Sequence, residues 1–272
     1  MYSLITNKNK QNQPMTTNNQ LTIKGFFHRD DVKSKFNELM GNRSAQFITS
    51  VLSVVNNNSY LKNASPESVF SAAMMAATLD LPVNPNLGFA YIIPYNSQAQ
   101  FQVGYKGLVQ LALRSGQFKT ISVTPVYEGQ IKQQNPLTGF EFDWNNKQLD
   151  KVIGYAAYFS LINGFEKTMY MTIEEVNAHG KRFSKTFGNG VWKTDFDAMA
   201  QKTVLKLLLS KYAPLSIEMQ KAVIADQAVI KDAETLDVEY VDAGQDLTEA
   251  KEKAAQVSVD RINKLKSATN EA

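Results

Sequence analysis

The sequence predicts an α+β fold, in which a mostly antiparallel sheet and its hairpins are flanked by helices. Apolar residues recur at helical spacing over about residues 47–79, and again beyond residue 172. Between these stretches, apolar and polar residues alternate in short runs that end at turn residues, as strands do. Helices, then meandering strands, then helices are typical of the α+β class.

The first predicted helices follow from apolar spacing and from the residues at their ends. One helix begins near Phe47 and ends at the polar residues 56–58. A second has Ser65 as its N-cap and Pro66 in its first turn, where a proline leaves no backbone N–H unpaired. Pro82 ends this helix, because the residue before a proline avoids helical dihedral angles.

The middle of the chain contains one helix among several strands. This helix covers residues 104–115, with Gly116 as its C-terminal glycine. The clearest hairpin turns at Asn163–Gly164, because both residue types tolerate the positive φ angles of tight hairpin turns. Strands are predicted at residues 90–94, 100–103, 120–127, 130–134, 140–144, 152–162 and 165–172.

The last part of the chain returns to helical patterns. Thr172 and Glu175 match a capping box at the start of a short helix. Further helices are predicted over about residues 195–211 and 217–225. The acidic residues 232–246 indicate a linker. A marginal amphipathic helix follows, with an apolar face formed by Leu247, Ala250, Ala254, Val257 and Leu265.

Charge and composition divide the 272 residues into three parts. Residues 1–24 are polar and predict a flexible N-terminal arm, without the apolar stretch of a secretion signal. Residues 25–230 form the predicted folded core, and residues 231–272 an acidic linker with a C-terminal partner-binding tail. This last part carries six basic and ten acidic side chains, whereas the first 230 residues carry a net charge of +7. A basic body with an acidic appendix is common among nucleic-acid binders.

The composition excludes several classes of protein. The chain has no cysteine, so disulfides, thiolate metal sites and cysteine nucleophiles are excluded. Two histidines leave little support for a histidine metal site or for histidine acid–base catalysis. No run of about 18 apolar residues predicts a membrane span, and we expect no membrane partner. Without disulfides or an export signal, the simplest location is the cytoplasm.

Neither a phosphate loop nor paired carboxylates predict a catalytic site. Residues 188–194 resemble a nucleotide-binding loop, but Trp192 stands where such a loop needs a glycine directly before its lysine. Asp195 and Asp197 open a helix, where acidic residues stabilise the N-terminal end. We therefore predict no catalytic and no metal-binding residues, and a metal-dependent nuclease is the least favoured alternative.

Basic residues fall in rows on two predicted helices. Residues four apart lie one above the other on a helix, so each row faces one way. The first row consists of Lys106, Gln110 and Arg114, with Lys119 just beyond the helix. The long late helix carries Gln201, Lys202, Lys206 and Lys211. Either row could instead be the ordinary solvated face of a surface helix.

Between the two rows, cations alternate with aromatic residues. Residues 177–212 carry seven basic and two acidic side chains. Such a segment suits a single-stranded nucleic acid, whose phosphates bind cations and whose exposed bases can stack on rings. The rings could equally belong to the core. The candidates for nucleic-acid contact in this segment are Lys181, Arg182, Lys185, Trp192 and Lys193.

Three stretches of the sequence form a distinctive set of motifs. They run from Leu79 to Tyr95 (LDLP … AYIIPY), from Gly104 to Gly116 (GYKGL … LRSG) and from Val191 to Pro214 (VWK … MAQKTVLK … KYAP). In this order they resemble the RecT branch of phage single-strand annealing proteins. The resemblance extends over roughly residues 25–225.

This resemblance implies an ATP-independent recombinase that binds single-stranded DNA, anneals it to a complementary strand and holds the annealed duplex. Such proteins assemble into rings or helical filaments and act beside a phage exonuclease in a bacterial host cell. Residues 25–230 would then bind DNA, anneal it and oligomerise without a cofactor, with Mg²⁺ influencing assembly only non-specifically. The tail would contact the exonuclease or a host single-strand binding protein. An assembly protein that uses its basic face on an acidic partner stays the alternative.

Overall fold

The computed structural model describes residues 22–135, 137–184, 186–240, 256–260 and 262–263. Its helices are α1 (Ile23–Phe27), α2 (Asp30–Met40), α3 (Ser44–Asn56), α4 (Pro66–Thr78), α5 (Tyr105–Arg114), α6 (Ile173–Phe183), α7 (Gly190–Thr194), α8 (Phe196–Tyr212) and α9 (Ile217–Ala225). Its strands are β1 (Ala90–Tyr95), β2 (Gln98–Val103), β3 (Phe118–Tyr127), β4 (Ile131–Asn135), β5 (Gly139–Phe142), β6 (Val152–Leu161), β7 (Glu166–Thr172), β8 (Val229–Asp232) and β9 (Asp237–Glu239).

The described residues form an α+β fold with antiparallel strand pairs, which confirms the predicted class. The strands β3, β6 and β7 form a three-stranded sheet with β6 in the centre. The hairpins β1–β2, β4–β5 and β8–β9 form separate two-stranded sheets. A backbone bridge between Phe101 and Ala228 brings β2 and β8 together. The strands therefore divide into small sheets rather than one central sheet.

The helix α4 forms the centre of the hydrophobic core. Its alanine-rich sequence lets neighbouring elements approach closely, and it packs against α1, α2, β1, β2 and β8. The predicted cap is present, because the Ser65 hydroxyl accepts a hydrogen bond from the backbone N–H of Ser68 at 3.1 Å. The fully buried residues of α4 include Val69, Ala72, Ala73, Met75 and Ala76.

The helix α8 packs across the three-stranded sheet and also contacts α5, α6, α7 and α9. Its fully buried residues include Val204, Leu205, Leu208 and Leu209. The Tyr155 hydroxyl on β6 donates a hydrogen bond to the carboxylate of Asp197 in the first turn of α8. This contact fixes the start of the helix against the sheet. The basic segments predicted from the sequence are thus arranged around α8.

The β6–β7 hairpin forms where Asn163–Gly164 predicts it, but with a different turn. Of these two residues, Gly164 alone has a positive φ angle, 87°. The backbone N–H of Leu161 donates to the carbonyl oxygen of Phe165 at 2.8 Å, which leaves the three residues between them as the loop. A three-residue hairpin loop usually has a left-handed glycine in this last position.

The capping box at the start of α6 is present as predicted. The backbone N–H of Glu175 donates to the Thr172 hydroxyl at 3.1 Å. In return, the backbone N–H of Thr172 donates to the Glu175 carboxylate at 2.9 Å. These two bonds satisfy donors that the first turn of a helix otherwise leaves unpaired.

Both predicted ends of the core differ from the structure. Residues 22–24 were assigned to the arm, but Thr22 caps α1 and Ile23 is buried; residues 1–21 lie outside the described residues. At the other end, β8 and β9 occupy part of the predicted linker, and Tyr240 is buried in the main core. The acidic side chains of this hairpin mostly face solvent while the apolar ones between them face inward. The described core therefore includes this hairpin as far as Tyr240, and it also includes buried residues of the helix near the C-terminus.

The predicted amphipathic helix near the C-terminus has a different buried face. Residues 256–260 and 262–263 are helical, and Val259 and Ile262 pack in the core. Val257, predicted on the apolar face, is 69% exposed. The other residues of that predicted face, Leu247, Ala250, Ala254 and Leu265, lie outside the described residues. No helix in the described part of the chain is long and apolar enough to span a membrane.

Candidate nucleic-acid interface

The first predicted basic row begins on α5, where the helix starts very close to the preceding loop. A Cβ atom at Gly104 would lie 2.1 Å from the carbonyl oxygen of Gly88, and one at Gly107 would lie 2.1 Å from that of Phe89. These contacts require glycine both at the N-cap, Gly104, and at Gly107 in the first turn of α5. Lys106 lies between them and is exposed, and no described side chain caps this helix start. A cation beside helix N-terminal N–H groups suits a phosphate.

The other end of this row is held by internal contacts. Arg114 donates hydrogen bonds to the carbonyl oxygens of Leu79 and Asp80, both at 2.8 Å, and so stabilises the C-terminal end of α4. Its guanidinium also lies 3.6 Å from the Asp80 carboxylate, which pairs with Arg43 at 2.6 Å. Gln110, in the middle of the row, is half-buried. Arg114 therefore has a structural role whatever it does with a nucleic acid.

Several of the remaining predicted cations are exposed. Lys181 and Arg182 lie in the last turn of α6, where cations complement the helix dipole. The Arg182 guanidinium lies 5.2 Å from the centre of the Phe183 ring. Apart from Arg114, which is exposed but held by the contacts above, the exposed candidate cations are Lys106, Lys119, Lys181, Arg182, Lys193 and Lys211, and we call these six the basic surface. Gln201 is half-buried, and Lys185 lies outside the described residues.

Lys202 and Lys206 face inward and share one carboxylate. The ammonium nitrogen of Lys202 lies 3.2 Å from one carboxylate oxygen of Asp226, and that of Lys206 lies 2.5 Å from the other. Asp226 also accepts a hydrogen bond from the backbone N–H of Val103 at 3.1 Å. The exposed fractions of the Asp226, Lys202 and Lys206 side chains are 1%, 11% and 25%. These contacts join α8, β2 and the end of α9, and we call the three side chains the buried triad.

In the buried triad, burial and the neighbouring opposite charges shift the pKa values of Lys202 and Asp226 in opposite directions. Burial lowers the pKa of Lys202, although the carboxylate of Asp226 acts in the other direction. Burial alone would raise the pKa of Asp226, but the two neighbouring lysines hold it below its ordinary value. Asp226 is therefore ionised at neutral pH. With both lysines protonated, the triad carries one more positive than negative charge.

The buried triad corrects the sequence interpretation of α8. The sequence predicts an exposed basic row on α8, and this is wrong for Lys202, which is buried. The three-stranded sheet covers one side of α8, and the helices α5, α6, α7 and α9 pack against its other sides. Trp192, another candidate for DNA contact, is also buried, with 7% of its surface exposed. Sequence reasoning missed Asp226, which lies 24 and 20 residues after its lysine partners. No local pattern connects positions so far apart.

A cavity of about 320 Å³ lies beside the triad, between α6, α7, α8 and α9. Its walls are mostly apolar and include the rings of Phe183 and Trp192, with the triad as a polar side. The indole N–H of Trp192 is buried and has no hydrogen-bond partner among the described residues. A mostly apolar cavity with a few polar groups is typical of a ligand site. Within the described residues, no three His, Asp or Glu side chains lie together as metal ligands would.

Comparison with known proteins identifies the family of this chain. A model of the RecT family matches residues 45–239. The chain belongs to the RecT family. The matched RecT segment includes α5, the buried triad and both strands of the β8–β9 hairpin. The hairpin thus lies within the segment that the family model matches and within the folded core.

Two curated proteins are similar to this RecT-family chain. The uncharacterised protein YqaK of Bacillus subtilis is 54% identical over 207 residues, which cover 75% of this chain and 72% of YqaK. Protein RecT of Escherichia coli is 31% identical over 183 residues, which cover 61% of this chain and 65% of that protein.

Proposed function

We propose that this chain binds single-stranded DNA and anneals complementary strands by neutralising their phosphates along its basic surface. Membership of the RecT family carries this proposal, since the family match supports a single-strand annealing protein of DNA recombination. The exposed cations supply the charge that the function needs. The helices that bear most of these cations, α5, α6 and α7, each contact α8.

The mechanism follows from what annealing requires. No covalent bond forms or breaks, but two polyanions must approach each other while their base edges stay free to pair. Lysine and arginine side chains that contact phosphates displace counterions and reduce the repulsion between the strands. Such contacts carry no sequence information, so the correct partner is selected by continuous base pairing. We therefore expect strands of different sequence to bind with affinities within about tenfold of each other.

Oligomerisation would multiply these contacts. One subunit with a few phosphate contacts binds weakly, whereas linked subunits along one strand bind with a much higher combined affinity. We propose that subunits assemble into a ring or filament on the strand, without ATP, and that Mg²⁺ acts only through general screening of charge. Electron microscopy after sequential addition of two complementary strands tests the assembly.

The function is tested with two complementary oligonucleotides that carry a donor and an acceptor dye. The protein is mixed with the first strand, and the second strand is added without ATP. We expect energy transfer to rise faster than in the absence of protein, and not to rise with a scrambled second strand. Equal rates with and without protein would overturn the proposal. Binding to an acidic protein surface without salt-sensitive binding to single-stranded DNA would favour the interaction-protein alternative.

We also propose that residues from 241 onward contact a phage exonuclease or a host single-strand binding protein. Most of the acidic excess assigned to the tail lies in the folded hairpin, because residues 231–240 carry four acidic side chains and one basic one. Residues 241–272 carry six acidic and five basic side chains, so a partner need not be strongly basic. A chain ending at Tyr240 also loses Val259 and Ile262 from the core, so its fold is checked first by circular dichroism. Once folded, it should anneal purified strands while losing capture of such a partner. Unchanged capture would assign the contact to the core.

A further inference from the structure

We propose that the cavity beside the buried triad takes one unstacked nucleobase of the bound strand, with the adjoining phosphate at Lys206. This inference rests on the proposed function, because it names one contact that the bound DNA makes. Three features of the cavity support it: its size and walls, its charge and its open side.

The size and walls of the cavity suit a planar ring. Its volume of about 320 Å³ is at the lower end of the range for small-molecule sites, roughly 300–1,000 Å³. The apolar wall includes Phe183, Trp192, Met199 and Leu207. Aromatic rings stack on any base, since every base has a π face, so such a site tolerates all sequences.

The charge of the cavity suits a phosphate. Two lysines share the one carboxylate of Asp226, so the polar side carries an excess positive charge when both lysines are protonated. Lys202 is enclosed, whereas a quarter of the Lys206 side chain is exposed. Lys206 can therefore contact a phosphate at the entrance while Asp226 keeps Lys202 and the N–H of Val103 as partners.

The open side of the cavity gives a base a way in. The lining residues His179, Phe183, Val223 and Gln227 are half-buried rather than enclosed. The backbone of Gln227 is left-handed, with φ of 67°, a strained conformation for a residue other than glycine. Gln227 directly follows Asp226, and both residues line the cavity. One anchored base per subunit would fix the strand while its neighbours remain free to pair.

The first test uses Trp192 as the reporter. Trp144→Phe removes the other tryptophan, which is half exposed after β5 and does not line the cavity. This variant is titrated with an oligothymidylate and with an abasic strand of the same length and charge, and binding is followed separately by dye anisotropy. We expect the thymidylate to change the Trp192 emission and the abasic strand to bind without changing it. Equal emission changes, or none despite binding, would overturn the inference.

The same titration separates this inference from the proposed function. If neither strand binds at any salt concentration, the proposed function fails and the nucleobase site fails with it. If both strands bind with equal affinity and without response from Trp192, the proposed function survives and only the nucleobase site is rejected. The measurement uses a folded protein with an intact cavity, so it does not depend on a disruptive substitution.

A second test fills the cavity without removing any charge. Val223→Phe places a ring at the wall of the cavity, and Val191→Phe makes the same change at an exposed valine of α7 as the matched control. We expect Val223→Phe to bind thymidylate about tenfold more weakly, which is within the range for losing one stacked base, and to bind the abasic strand normally. The control should bind both strands like the parent protein. Equal losses on both strands for Val223→Phe would contradict the inference.

Discussion

The substitution Asp226→Asn should destabilise the fold strongly, although it changes few atoms. It removes two ion pairs, at 3.2 Å to Lys202 and 2.5 Å to Lys206, and leaves a buried ammonium group without its counter-charge. Removing one partner of a buried ion pair costs about 3–5 kcal/mol. We expect about 3 kcal/mol, the lower end, because Lys206 is partly exposed and can turn to water, and Lys202 can lose its proton.

Thermal and urea unfolding followed by circular dichroism measure this effect. For a protein of this size, about 3 kcal/mol lowers the melting temperature by about 6–12 °C. The matched control is Asp237→Asn, which neutralises an exposed carboxylate on β9 and should change stability by less than about 0.5 kcal/mol. In the double variant with Lys202→Met, part of the loss should be recovered, because both charges of one pair are then absent. An Asp226→Asn protein as stable as the control would refute the assignment of the triad.

The depressed pKa of Asp226 also sets the direction of an acid dependence. A carboxyl whose pKa is lower in the folded state stabilises the fold at pH values above its unfolded pKa, near 4. This contribution is lost as the pH falls through the folded value, where Asp226 gains a proton beside Lys202 and Lys206. The stability difference between the parent protein and Asp226→Asn should therefore shrink below about pH 4. A difference that stays constant to lower pH would contradict this account.

Three further predictions follow from the structure. Lys106→Ala together with Lys119→Ala should lower the slope of log affinity against log salt by about 1.4 for single-stranded DNA, since each lost phosphate contact contributes about 0.7. A chain that ends after Ile230 should lose several kcal/mol of stability, because the deletion removes the buried Leu236, Val238 and Tyr240, worth about 1.5–3 kcal/mol each, together with Val259 and Ile262. A chain that ends after Tyr240 removes only Val259 and Ile262 from the described core, so it should lose less stability and stay folded in circular dichroism. Gly107→Ala should cost about 1–3 kcal/mol in urea unfolding, because the new methyl group would overlap a backbone carbonyl.

Matched controls accompany these three measurements. Lys132→Ala removes an exposed lysine of β4 outside the basic surface and should leave the salt slope unchanged. Ser210→Ala makes a helical alanine at an exposed position of α8 and should hardly change stability. An unfolded chain ending after Tyr240 would place part of the stabilising contacts beyond that residue. A fully stable chain ending after Ile230 would restore the original boundary of the core.

Local patterns in the sequence were sufficient for many elements of the fold. The helix over residues 217–225, the capping box of Thr172 with Glu175, and the hairpin around Gly164 are all present where the sequence predicts them. Each depends on interactions within a few residues, such as a hydroxyl that accepts from an N–H three positions later. Such interactions depend little on the rest of the chain, so their sequence signals are reliable. The motifs that resemble the RecT family were likewise sufficient for the family.

The sequence by itself determined the fold class, most of the helices and strands, and the family, whereas only the tertiary structure decided which cations face solvent. A row at i and i+4 shows that Lys202 and Lys206 share a face of α8, but not what covers that face. The cover comes from elements far away in sequence, including Asp226 at the end of α9. Long-range contacts also decide the structure of the hairpin that ends near Tyr240. Its acidic composition predicts a linker, but the apolar residues between the acidic ones pack against the core. Burial depends on the sum of such long-range contacts, and local periodicity contains no information about them.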